Sequence, residues 1–177
     1  NLTGVAVAER PVALEVDDAH NLLYTLTAEG TLLRESIATP SNPVSVGPAL
    51  NLRPYLDLAG KEEPTDLKLW TAAGEEVVVV LTNQRVITVV DFFGTLVFNG
   101  ASEAVKPTAL MTDTNPTPGQ SITPLKVAIL DSLSVGKDAD NRVVAYVEAF
   151  MGGYEVGAAQ RPFPKCVVLC DLGLTGG

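Results

Sequence analysis

The 177-residue chain carries 46% hydrophobic, 6% aromatic and 19% charged residues, a composition that excludes global disorder. Twelve Lys plus Arg stand against 21 Asp plus Glu, for a formal net charge of −9, and this is the wrong sign for a protein that neutralises nucleic-acid phosphates. Apolar runs such as Val77 to Leu81 are far shorter than the roughly 20 residues of a membrane-crossing helix, so no membrane insertion is expected.

In chain order, the first residues are Asn1-Leu2-Thr3, which fit the N-glycosylation acceptor pattern but are too short a match to imply secretion. The start at Asn1, with no basic segment leading into an apolar one, is expected of a mature product or fragment whose signal peptide is absent or removed. The next stretch holds short β-branched runs punctuated by Gly, Asn, Asp and Pro. Val12 to Val16, Leu22 to Thr27 and Thr31 to Arg34 read as a three-stranded meander with turns at Asp17 to Asn21 and Ala28 to Gly30. A second meander runs Leu67 to Thr71, Val77 to Thr82 and Val86 to Val90, with an added strand at Thr95 to Phe98. The two superpose without a gap, Leu14 on Leu69, Leu26 on Leu81, and Leu32 on Ile87. A third unit reads Leu125 to Leu130, a loop through Gly136 to Asn141, Val143 to Phe150, a turn at Met151 to Gly153 and Tyr154 to Val156, followed by a strand at Cys166 to Leu172.

The expected fold class is therefore all-β: one β-rich domain over 1–177, built as a sandwich or barrel from antiparallel meanders at about 12–34, 67–98 and 125–172. Two proline-rich arms, 37–64 and 105–124, join the meanders. Loops of this length carry docking surface or cover sheet edges.

Units recurring every 40 to 55 residues or so also characterise radially arranged sheets. The stretch from Val12 to Leu32, with Asp17-Asp18-Ala19-His20-Asn21 at its first turn, resembles a blade of the β-propellers found in nucleoporin-type scaffolds and in bacterial and phage proteins. Val77 to Val90 with Asp91-Phe92-Phe93-Gly94 is similar to a β module of large bacterial surface adhesins. Propellers close with four blades or more, and three units can be drawn here, so the resemblance implies a partial propeller-like repeat as the alternative architecture.

Candidate sites are few. His20 stands in a turn beside Asp17 and Asp18 with no Gly-x-Ser-x-Gly elbow anywhere in the chain, and is read as a solvent-facing turn residue. No phosphate-cradling glycine loop is present, and Gly136-Lys137 alone does not make one. Asp131 and Asp138-Ala139-Asp140-Asn141 offer oxygen ligands but lack the Gly and Glu of the helix-loop-helix calcium loop, so a hairpin turn is the better reading. Cys166 and Cys170, four apart in one strand, would lie roughly 13 Å apart, too far to bridge, and are read as small buried hydrophobes. Trp70 is read as core.

No catalytic, cofactor-binding or metal-ligating residue is assigned. With few charges and a mean hydropathy of +0.23, the leading expectation is a non-enzymatic structural protein that associates with itself or with other subunits. A coat, decoration or tail component of a virion or phage is its foremost form. The alternatives are a propeller-type interaction domain of a larger extracellular or cytoplasmic scaffold and a polysaccharide hydrolase. The hydrolase requires at least two carboxylates converging in a cleft.

Overall fold

The structure, a computed structural model, describes residues 9–72, 75–92, 94–102, 122–124, 129–150, 154–156, 159–161 and 166–175, with only the backbone described over parts of the later strands. The all-β expectation holds. Strands β1 (Pro11–Asp17), β2 (Leu22–Thr27) and β3 (Thr31–Ser36) form an antiparallel meander, and the short β4 (Val44–Ser45) and β5 (Leu50–Asn51) pair along β3 to complete a first sheet. The second sheet is the four-stranded meander β6 (Pro64–Ala72), β7 (Glu75–Thr82), β8 (Val86–Phe92) and β9 (Thr95–Ser102). Turn chemistry sets these hairpins. Asp17 Oδ1 accepts the Ala19 and His20 amides, while Asn21 takes a left-handed conformation at φ 55°. Gly30 supplies φ 89° at the next turn, where Thr27 Oγ1 accepts the Thr31 amide.

The later strands are β10 (Ile122–Pro124), β11 (Ile129–Lys137), β12 (Arg142–Phe150), β13 (Tyr154–Val156), β14 (Ala159–Arg161) and β15 (Cys166–Thr175). Here the structure departs from the expected third meander. Strands β11, β12 and β15 make the third sheet, whereas Tyr154 to Val156 pairs with β10 and β14 in a separate small one. The reason is length: the ten-residue β15 covers the nine-residue β12 along almost its whole edge, which the three-residue β13 cannot do. Gly136 and Lys137 belong to β11 rather than to the loop, and the turn contracts to Asp138 to Asn141, with Asn141 at φ 62°. Leu125 and most of the 105–124 arm lie outside the described residues.

The three larger sheets stack face to face in chain order, as the layers of a sandwich do, and none of them closes into a barrel. Strand β7 shows why. Side chains alternate along a strand, yet Val77, Val78, Val79, Val80 and Leu81 are all buried. Val77, Val79 and Leu81 pack on Leu133, Ala145, Val147 and Cys170 of the third sheet. Val78 and Val80, with Ile87 and Val89, pack on Tyr24, Leu26 and Leu32 of the first. An uninterrupted valine run is what a strand buried on both faces requires, each residue contributing roughly 2 kcal/mol of apolar burial. Trp70 is half-buried against the core between the second and third sheets.

The described 37–64 arm is held down over the second sheet. Leu52 is buried and its amide donates to the Gly30 carbonyl at 2.8 Å, and the Tyr55 ring stacks on Phe98 with centroids 3.9 Å apart. The enclosed Glu62 carboxylate accepts from the Asp57 amide (2.6 Å), Thr82 Oγ1 (2.8 Å) and Arg85 Nε (2.8 Å), fastening the arm to the β7–β8 turn. Burial works against ionisation of Glu62, but these donors outweigh it and hold the carboxyl below its usual range.

Candidate functional site

Residues paired across an antiparallel ladder share a face, so the interface between the first and second sheets can be read row by row. On the first sheet the inward rows are Ala13–Leu26–Leu32, then Glu15–Tyr24–Arg34, then Asp17–Leu22–Ser36. On the second they are Leu67–Val80–Ile87, then Leu69–Val78–Val89. The β7–β8 ladder ends at the Val77–Val90 pair, and Glu76 and Asp91 follow one residue beyond it on their strands. The interface thus grades from apolar to acidic. At the acidic end a cleft of about 340 Å³ opens, lined by Asp17, His20, Leu22, Tyr24, Glu75, Glu76, Asp91 and Gly94.

Arg34 anchors two of the residues that line the cleft, Asp91 and Gly94. Its side chain is buried; one terminal nitrogen is ion-paired with Asp91 Oδ2, the other donates to the Gly94 carbonyl at 2.7 Å, and Nε donates to the Val46 carbonyl at 3.2 Å. The packing around this guanidinium needs glycine at position 47, where φ is 74° and a Cβ would collide with the Gly94 carbonyl. Asp91 Oδ1 also accepts the Gly94 amide at 3.2 Å. Asp17 is engaged by its own turn and by His20 Nδ1 at 2.5 Å. Glu76 is less committed, with Thr71 Oγ1 donating to one oxygen at 3.3 Å. Burial, reinforced by the charge of Asp17, raises the Glu76 carboxyl above its ordinary range. Tyr24 is fully buried and its hydroxyl has no hydrogen-bond partner. Burial and the negative charge of Glu76 push that phenol up to about 12, against the opposing effect of Arg34.

The residues singled out by sequence fall variously. His20 lies in the β1–β2 turn, its side chain 71% exposed, at the cleft. Asp138 is engaged within its hairpin: Oδ1 accepts the Asp140 and Arg142 amides at 2.9 Å, and Arg142 pairs with Oδ2 at 2.6 Å. Cys166 and Cys170 both belong to β15, with Cys170 buried. Asn1-Leu2-Thr3 lies outside the described residues. Tyr24, Arg34, Glu76 and Asp91 are not visible as a group in sequence, because 67 residues separate the first from the last. Their one signal is positional: Asp17, Glu76 and Asp91 each sit at an end of an apolar strand.

Two further features bear on function. A smaller cavity of about 280 Å³ lies where Val86, Thr88, Asn99 and Gly100 of the second sheet meet Asp171 and Gly173 of β15. Thr25 and Glu35 are buried without hydrogen-bond partners on the first sheet, but they border neither cavity. Among the described residues no helix is long and apolar enough to cross a membrane, and no three His, Cys, Asp or Glu side chains are placed to hold a metal ion. Comparison with models of known protein families and with curated proteins finds no match for this chain.

Proposed function

We propose that the chain is a non-enzymatic assembly module that associates by stacking sheets, and that its first sheet receives a sheet of a second copy. The observation that supports this is the burial of β7 on both faces: the chain already assembles by laying one meander on the next. The first sheet has one face on this stack. Its other face carries Leu14, 51% exposed, and Val16, 45% exposed, on the edge strand β1, while Thr25 and Glu35 of β2 and β3 on that face are buried. A second copy is the natural occupant because it presents meanders of the same pattern. A virion or phage subunit is the foremost form of this role, and a propeller-type interaction domain is the alternative.

Light scattering over a concentration series tests the proposal. The mass is expected to rise above that of the monomer, and Leu14→Lys with Val16→Lys is expected to return it to monomer with an unchanged circular dichroism spectrum. A wild-type chain that stays monomeric at every concentration overturns it.

One observation favours a second reading, glycoside hydrolysis: Glu76, with its raised carboxyl, shares a cleft with Asp17 and Asp91. Both aspartates are engaged in ion pairs or turn hydrogen bonds, so neither stands ready beside Glu76 as base or nucleophile. Turnover of a chromogenic glycoside that disappears in Glu76→Gln would establish this reading instead.

A further inference from the structure

The cleft between the first two sheets has a composition that stacking does not require. Four carboxylates, Asp17, Glu75, Glu76 and Asp91, line it, and among the described residues Arg34 is the buried counter-charge, paired with Asp91. That guanidinium is turned to Asp91 and to the Val46 and Gly94 carbonyls. The second observation is independent of the acidic cluster. Tyr24 borders the cleft, is fully buried, and has a hydroxyl without a partner. A buried hydroxyl left unpaired costs about 1–3 kcal/mol, so native structures retain such groups where a ligand or water completes them. Glu76 and Asp17 lie within electrostatic range of that hydroxyl. Its lone pairs therefore sit in a field that attracts a positively charged hydrogen-bond donor.

We propose that this cleft binds an organic cation, an alkylammonium or guanidinium group, whose N–H donors bond the Tyr24 hydroxyl oxygen and the Glu76 carboxylate between Asp17 and Asp91. A bare metal ion is a poorer fit. It needs several oxygens converging on one point, and no such group of three is found among the described residues. A cation with N–H donors instead accepts separated single acceptors in a diffuse negative field. The cavity, about 340 Å³, lies in the range of small-molecule pockets and has room for such a group. Binding also relieves the mutual repulsion of Glu76 and Asp17, which His20 offsets only in part. The inference does not depend on self-association, since Leu14 and Val16 lie on the opposite face of the sheet.

The chemistry is shared by two sources, a basic side chain of another protein and a free amine. Calorimetric titration of the 177-residue chain with N-acetylarginine methylamide and with 1,4-diaminobutane separates them. Saturable one-to-one binding is expected, weakened about tenfold by Glu76→Gln and by a smaller factor by Tyr24→Phe. Asp140→Asn, in the β11–β12 turn, is expected to change nothing. Tighter binding of the arginine derivative assigns the site to a protein side chain, and tighter binding of the diamine assigns it to a free amine. Glu76 lies at the start of its strand, so its variant serves if Tyr24→Phe fails to fold. Absence of saturable binding by both probes overturns the proposal, as does equal weakening by Glu76→Gln and Asp140→Asn, or saturable Ca²⁺ binding at the site in place of the amines.

Discussion

Strand β7 faces two interfaces built on different chemistry. Toward the third sheet, Val77, Val79 and Leu81 meet Leu133, Ala145, Val147 and Cys170, and the polar contact across the seam is Asp66 Oδ2 accepting the Leu133 amide at 3.3 Å. Toward the first sheet, Val78 and Val80 begin an apolar contact that ends in Arg34, Asp91, Glu76 and Asp17, with Lys68 and Glu15 ion-paired at the edge. One side is held mainly by apolar fit. The other gives up part of its apolar seam to charges and a cleft. The difference teaches that a strand of near-uniform valine can face an apolar seam on one side and a charged cleft on the other, because only the residues at its end change.

The strongest way to break the comparison is Arg34→Ala. It removes a buried cation, leaves Asp91 unpaired beside the Gly94 carbonyl, and is expected to lower unfolding stability by about 4 kcal/mol, read from the urea midpoint. Combining Arg34→Met with Asp91→Leu should recover most of that loss, since a buried pair replaced by apolar groups is often neutral. If the single and double variants lose equally, the guanidinium acts through packing and not through its charge. On the other side, Leu81→Ala leaves a cavity between the second and third sheets and should cost about 3 kcal/mol, the same at low and high salt. The half-buried Lys68–Glu15 pair belongs to neither class. Lys68→Met should cost under about 1 kcal/mol and lose its effect as salt rises.

Much of this contrast can be read in the residues before any coordinates. The two meanders follow from alternation and from turn residues such as Asn21 and Gly30, whereas the burial of the Val77 to Leu81 run on both faces emerges from the stacking of the sheets. The third sheet is less legible. Gly152-Gly153 advertises a tight hairpin, but which strand occupies the free edge of β12 is decided by length and apolar match across some twenty residues. The cleft is harder still. Asp17, Tyr24, Glu76 and Asp91 come from four strands, and their proximity depends on the register of two separate ladders and on the way the sheets stack. Of this group the turn at Asp17 and His20 alone draws notice in sequence, for its histidine.

The smallest and most discriminating effect concerns pH. Glu76 and Glu62 are both partly or fully enclosed carboxylates on the second sheet's flanks, yet their surroundings move them in opposite directions. Glu62, held low by Arg85 and its other donors, stabilises the fold above the ordinary carboxylate range, and that contribution disappears as pH falls through its depressed folded value. Glu76, raised by burial and by Asp17, binds its proton more tightly folded than unfolded. Its burden is therefore absent below the unfolded value and felt in full above the raised folded one. Glu76→Gln should accordingly stabilise the chain at neutral pH by about 0.5 kcal/mol, the scale of a like-charge pair on a sheet, and should give nothing in acid. Thermal melts of the wild type and of Glu76→Gln across that range check the sign. A gain that persists in acid would show that the side chain is strained by shape, and the acidic end of the first interface would then be no more electrostatic than the apolar seam on the other face of β7.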